Sequence, residues 1–230
     1  SFQLETMVTF KPHVTAILNI TPDHLDRHKT LENYIAIKES ITKNQDENDF
    51  CVLNYNDPVL REFGKTPRCK VIFFSSSEEL ESGVFLRGDT MIIKENGVET
   101  PVCTTKDTSL VGMHNYENIM AAIAMTHAMG VPLDTIRQGI KEFTAVEHRI
   151  EFVAEKNGVK YYNDSKGTNP DAAIKAVCAM PSPTILIGGG YDKKSSYDEW
   201  VATFEGRVKE LLLIGKTKYD IAAACDRAGF

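Results

Sequence analysis

The sequence predicts an α/β protein in two parts: a mostly parallel sheet with an antiparallel edge, then a second α/β domain. Three observations predict it. Short apolar runs bounded by turn residues alternate with longer segments of helical periodicity. Gly88-Asp89 and Asn96-Gly97 mark hairpins in the first half, as Asn157-Gly158 does in the second. The length of 230 residues suits one large domain or two smaller ones, each able to bury a core.

Residues 13–20 read as a buried strand, followed by the loop Thr21-Pro22-Asp23-His24. A helix is expected over 30–43, with Thr30 at its N-cap and Glu32 and Asn33 in its first turn. Residues 51–54 and 70–74 are short apolar runs, hence strands, and 84–103 holds the hairpin strands. A helix from Asn115 to about Met129 stops at Gly130 and Pro132, and a second covers 133–143.

The character resets between Thr144 and His148, which divides the chain into domains at 1–146 and 147–230. Residues 150–154 and 159–162 should pair as a hairpin. A helix over 170–180, a strand over 184–187, a helix over 196–205, a strand over 210–214 and a helix over 217–228 complete the second domain. The opening Ser1-Phe2-Gln3-Leu4-Glu5 lacks Met, and the final helix has no closing strand, so a fragment is expected.

The net charge of -6 disfavours sequence-independent nucleic-acid binding, though a local basic pocket for phosphates is compatible with it. No apolar run is long enough to cross a bilayer and no signal peptide opens the chain, so neither a membrane nor secretion is expected. Five dispersed cysteines, odd in number and without metal-like pairing, read as reduced thiols of a cytoplasmic protein.

Leu31, Tyr34, Ile35 and Ile41 form one stripe of the first long helix, and Lys38 falls near its middle. Either the Lys38 stem packs while its head escapes to water, or desolvation keeps the amine neutral and able to form a carbamate with carbon dioxide. Asp23 and His24 lie just past a strand's carboxyl end, where ligands gather in open α/β sheets. They suit a divalent cation beside phosphate, or a capped turn with a surface histidine.

Gly215-Lys216-Thr217 resembles the end of a phosphate-binding loop, but Glu210 stands where that motif needs glycine, so a structural turn is expected. Gly188-Gly189-Gly190 fails the dinucleotide fingerprint because Lys193 replaces its last glycine. Beside Asp192 and Lys193 it reads either as an ordinary turn or as a loop approaching an anion.

The densest polar stretch is Asn163-Asp164-Ser165-Lys166-Gly167-Thr168-Asn169-Pro170. Thr168 or Asn169 can cap the next helix, with Pro170 at its first position. Lys166 beside that helix start would build an anion site, and Asp164 could accept from ribose hydroxyls. Asn115 and Asn118 are an N-cap and a solvated amide, or a pair able to read the edge of adenine.

Together these segments resemble the Mur ligase family along nearly all the chain. The run 19–28 is similar to that family's central-domain metal motif, 114–118 to its adenine-contacting helix start, and 147–149 to the junction into its C-terminal domain. The loop 163–169 resembles the D-glutamate-adding branch. The resemblance implies a partial central ATPase-like domain followed by an incomplete Rossmann-like C-terminal domain.

It implies magnesium at His24, with Lys38 carbamylated beside it. Asn115 and Asn118 would meet the adenine region of ATP, and His148, Arg149 and Asp164 its phosphate and ribose. Lys166, Thr168 and Lys193 would position D-glutamate and the reacting carboxylate, with His24, Lys38 and Lys166 the catalytic set. The implied enzyme is a cytoplasmic monomer of peptidoglycan precursor synthesis, acting on UDP-N-acetylmuramoyl-L-alanine, D-glutamate and ATP. ATP would phosphorylate the substrate carboxylate, the amine would attack the acyl phosphate, and closure of two domains would exclude water.

The family's uridine-binding domain, its phosphate-binding loop and its last strands are not in this sequence, and an acidic magnesium ligand is expected ahead of Ser1. The chain alone is therefore expected to be inactive. A folate polyglutamate-adding ligase and a non-catalytic nucleotide-binding fragment are the alternatives, and the Asp-Ser-Lys-Gly-Thr-Asn loop disfavours the first.

Overall fold

The computed structural model describes residues 1–21, 24–144, 146–191 and 196–230. They form two compact units, one of residues 1–108 and 115–143, the other of 109–114 and 144–230.

The first unit is built on a six-stranded sheet whose strands lie in chain order: β1 (Val14–Ile17), β2 (Phe50–Asn54), β3 (Lys70–Ser75), β4 (Gly83–Arg87), β5 (Thr90–Glu95) and β6 (Val98–Thr104). The first four are parallel neighbours, and β5 and β6 add the expected antiparallel edge. Asn96 and Gly97 both take positive φ, 51° and 79°, as the tight turn between β5 and β6 requires.

β1 stops three residues earlier than its apolar run. Side chains replace the ladder beyond Ile17: Asn54 Nδ2 donates to Leu18 O at 3.1 Å, and the Ile20 amide donates to Asp57 Oδ2 at 2.6 Å. Asp57 also caps a short helix not expected from the apolar pattern. That is α4 (Pro58–Phe63), which follows α1 (Phe2–Glu5), α2 (Leu25–His28) and α3 (Leu31–Glu39).

Thr30 caps α3 through the Asn33 amide at 3.2 Å, as expected. The last turn expected of α3 is a 3₁₀ turn over Ser40–Thr42. The core centres on Leu53, Leu60, Phe74, Phe85, Met91, Met120 and Ile123, all fully buried.

α5 (Met113–Ala128) begins two residues before the expected Asn115. Asn115 is therefore the third helical residue and not an N-cap. α6 (Leu133–Glu142) follows, and its Arg137 donates to the Val102 and Pro101 carbonyls at 3.0 and 2.8 Å, covering polar groups of the edge strand β6.

The second unit holds a hairpin of β7 (Glu151–Lys156) and β8 (Val159–Asn163) and a parallel pair of β9 (Thr184–Gly190) and β10 (Val208–Gly215). Around them lie α7 (Pro170–Ala179), α8 (Asp198–Ala202), shorter than expected, and α9 (Lys218–Ala228). One face of the parallel pair packs Leu186, Leu211 and Leu213 on Trp200, Phe204 and Ile221. The other leaves Ile185 and Ile187 57% and 65% exposed.

Candidate functional site

In the first unit, candidate residues gather past the carboxyl ends of the parallel strands. His24 takes φ 53° just before α2, and its ring lies 4.9 Å from the Phe2 ring. Lys38, half-buried on α3, donates from Nζ to Asn19 O at 3.1 Å, with the ammonium 5.0 Å over the Tyr34 ring. The stem thus follows the apolar stripe, while the head meets a backbone acceptor and an aromatic face. Asp23 lies outside the described residues.

Glu5, a carboxylate without any motif to mark it in the sequence, also lies by this loop. Arg27 holds both its oxygens, with Nε at 3.1 and 3.2 Å and Nη2 at 2.5 Å, and the guanidinium lowers the Glu5 carboxyl's affinity for a proton. His28 is buried against Phe2 and Tyr34, and its Nε2 is 3.0 Å from Ser1 Oγ. Its Nδ1 lies 3.2 Å from Glu5 Oε1, without the alignment of a hydrogen bond.

Magnesium favours near-octahedral oxygen ligands. No group of three or more His, Cys, Asp or Glu side chains among the described residues is placed to hold a metal ion. Lys38 acts as a donor here, and the Glu5 oxygens are taken by Arg27. The described donor set does not by itself fit magnesium.

A hub joins the ends of β2 and β3 to α5. Asn56 Nδ2 donates to Ser76 Oγ at 2.6 Å and to Glu117 Oε1 at 3.2 Å. Asn56 Oδ1 accepts from Ser75 Oγ at 2.7 Å and Ser77 Oγ at 2.9 Å. Ser76 Oγ itself donates to Glu117 Oε1 at 2.6 Å. Asn115 and Asn118 sit on either side of Glu117 in the helix, with Asn115 half-buried and Asn118 exposed.

In the second unit the polar loop after β8 is stitched to the segment before β7. Asp164 Oδ1 accepts the Ile150 amide at 3.0 Å, and the Lys166 amide donates to His148 O at 3.0 Å. Asn163 Nδ2 donates to His148 Nδ1 at 2.8 Å, which leaves the ring proton on Nε2. The His148 amide donates to Glu151 Oε2 at 2.8 Å. His148 and Ile150 both take positive φ, 68° and 45°, and for the β-branched Ile150 that conformation is strained.

Burial pushes the Asp164 carboxyl above the usual range, against the opposing pull of the Ile150 amide, Arg149 and His114. Asn169 caps α7 through the Ala172 amide at 2.8 Å, with Pro170 at the first helical position. Lys166, Thr168 and Arg149 are exposed, and the Lys166 ammonium has no hydrogen bond or ion pair among the described residues. Lys193, Asp192 and their neighbours Lys194 and Ser195 lie outside the described residues.

The lookalike motifs resolve structurally. Thr217, 2% exposed, accepts the Gly190 amide at 3.0 Å, and the Lys216 amide donates to Gly190 O at 2.8 Å, so this turn ties β10 to β9. Gly189 takes φ 118°, where an added Cβ would lie 2.1 Å from Ile214 O. Close strand approach accounts for that glycine.

Comparison with known proteins bears on the whole chain. The Mur ligase middle domain matches residues 2–126, and the Mur ligase, glutamate ligase domain matches residues 148–229. A UDP-N-acetylmuramoylalanine--D-glutamate ligase of Lachnoclostridium phytofermentans is 53% identical over 229 residues, 100% of this chain and 50% of its own. One of Lachnospira eligens is 52% identical over 230 residues, 100% of this chain and 51% of its own. The chain thus spans about half the length of the curated relatives it matches. The fold is similar to MurF of Acinetobacter baumannii, with TM-score 0.69 and 18% identity over 93% of this chain and 49% of that one. The UDP-N-acetylmuramate-alanine ligase MurC of Thermotoga maritima gives TM-score 0.69 and 17% identity over 96% and 50%.

Proposed function

The chain belongs to the Mur ligase family, and on that premise we propose that it serves ATP-dependent addition of D-glutamate to UDP-N-acetylmuramoyl-L-alanine in peptidoglycan precursor synthesis. The observation that carries this reading is 53% identity, over 229 residues, to a relative named for that D-glutamate addition.

ATP would phosphorylate the substrate carboxylate, giving an acyl phosphate and ADP. The D-glutamate amine would then attack the acyl carbon, and the tetrahedral intermediate would expel phosphate. Both steps bring anions together, so cationic side chains must offset charge that develops at the reacting centre.

Lys166 suits that role, because the loop around it is fixed by Asp164, Asn163 and the Asn169 cap while its ammonium has no partner among the described residues. Thr168 and Lys193 would position D-glutamate. Asn115 and Asn118 would read the adenine edge. Arg149, His148 and Asp164 would take the phosphate and ribose, with His148 presenting Nε2–H as a donor.

Ligases of this family use ATP and magnesium. In the whole protein His24 and a carbamylated Lys38 would hold magnesium; in this chain the described donors do not complete that centre, and the Lys38 amine is held as a donor by Asn19 O. No helix among the described residues is long and apolar enough to cross a membrane. A cytoplasmic monomer handling small molecules, with no nucleic acid or membrane partner, is part of the proposal.

The test is a chimera in which this chain replaces the matching segment of the Lachnoclostridium phytofermentans relative. Phosphate release should require ATP, UDP-N-acetylmuramoyl-L-alanine and D-glutamate together. A folded, ATP-binding chimera that accepts a glutamylated folate instead, or no acceptor at all, would overturn the reading.

A further inference from the structure

We infer that Glu117 is a positioning residue that, clamped by Ser76 and Asn56, fixes how α5 presents Asn115 and Asn118 to an adenine base; this rests on the adenine reading of those two asparagines. The clamp is complete in hydrogen-bond terms. Asn56 uses both amide hydrogens, on Ser76 and Glu117, and its oxygen accepts from Ser75 and Ser77.

Ser75 in turn accepts the Ser77 and Glu78 amides at 3.3 and 2.9 Å, which holds the turn after β3 in place. The support beneath Asn56 is the end of β2, where Asn54 pairs in register with Phe74 of β3 and Asn54 Oδ1 accepts the Asn56 amide at 2.9 Å. Both ends of the clamp therefore stand on parallel strands, at the edge where open α/β sheets bind ligands.

Glu117 is the fifth residue of α5. Successive helical residues are rotated by about 100°, so pinning Glu117 sets the angle at which its neighbour Asn118 and the preceding Asn115 face outward. Hydrophobic residues on α5 begin to be buried only at Ile119. Ahead of that point Glu117 ties this turn to the sheet through Asn56 and Ser76. Both contacts use Glu117 Oε1, an atom that glutamine also has.

The experiment uses this 230-residue chain with E117A, E117Q and N118A. Amide hydrogen exchange is followed over residues 115–120, and each protein is titrated with ATP and with GTP by calorimetry. E117A should speed exchange there and weaken ATP binding by about tenfold each, a loss of the size expected for removing one part-buried charged acceptor. E117Q should stay within about twofold of the parent, because the accepting oxygen remains.

The preference for ATP over GTP should fall in E117A, which loosened packing without mispositioned amides would not cause. Parent-like exchange in E117A, or E117Q behaving as badly as E117A, overturns the inference. So does faster exchange in E117A with ATP affinity and nucleotide preference unchanged. An N118A protein that binds ATP like the parent sinks the adenine reading, and the inference with it. A parent that binds no ATP sinks the adenine reading for this chain, even where the exchange result shows the clamp itself to be real.

Discussion

The Ile150 amide donates to Asp164 Oδ1 at 3.0 Å while Ile150 sits at φ 45°. A β-branched residue in the left-handed region costs about 1–3 kcal/mol, so other contacts must hold it there. Removing the acceptor with D164A should destabilise the second unit by about 1–3 kcal/mol. Trp200, the one tryptophan of the chain, lies in that unit's core and reports its unfolding by fluorescence.

D164N should behave differently, and the sign follows from titration. Burial raises the Asp164 carboxyl above its ordinary 3.8, so the folded state favours the neutral acid. Its contribution is fully present below 3.8 and is lost as pH rises through the folded value. Asn is neutral throughout and keeps the acceptor oxygen. D164N should therefore be at least as stable as the parent at neutral pH, with a flatter pH dependence. A D164N protein as unstable as D164A would refute this account of the loop.

The opposite sign applies at Asp49, between β1 and β2 in the fold. Its carboxylate accepts the Asp46 amide at 2.9 Å and pairs with His13 at 3.0 Å and Lys11 at 3.1 Å, which lowers it from 3.8 to about 2. Stability from this group is present above 3.8 and disappears as pH falls through about 2. Far-UV circular dichroism of thermal unfolding should show the parent losing stability across that window. D49N should show a shallower slope there, and an unchanged slope would count against the carboxylate.

Lys38 is committed to Asn19 O and the Tyr34 ring. In bicarbonate labelled with carbon-13, the 230-residue chain should give no carbamate signal assigned to Lys38. A strong signal absent from K38M would show that the amine leaves those partners to react. K38M itself should cost about 1 kcal/mol, since it loses a charge-assisted hydrogen bond and a cation–π contact but keeps an apolar stem.

Local chemistry was the legible part of this sequence. Asn96-Gly97, the Thr30 cap and Asn169-Pro170 act within a few residues, and each formed where its residues predicted. The periodic stripe around Lys38 correctly announced a half-buried lysine, but its acceptor is nineteen residues away in sequence and carries no side-chain signature. The Asn56 hub was equally hidden, because it joins groups twenty and sixty-one residues apart. The Ser75-Ser76-Ser77 run at a strand's carboxyl end was the available signal. The early start of α5 escaped because Asn115 is a good capping residue by type, whereas the helix extends ahead of it to Met113.

Two lysines that both follow a strand and precede a helix should separate cleanly in function. Lys166 sits in a loop fixed by the Asp164 and Asn169 contacts, with its ammonium exposed and unpaired among the described residues. Lys216 follows a glycine turn whose amides are spent on Gly190 O and whose Thr217 hydroxyl is buried, so no cradle for phosphate remains. In the chimera with the Lachnoclostridium phytofermentans relative, K166A should lower kcat by about a hundredfold, the scale seen when one group that stabilises transition-state charge is removed. K216A should leave kcat and the KM for ATP within about twofold, because an exposed side chain at a structural turn contributes little to either. Steady-state kinetics with D-glutamate and ATP varied in turn would check both, and a K216A protein as impaired as K166A would mean that the turn after β10, not the loop after β8, handles the anionic substrates.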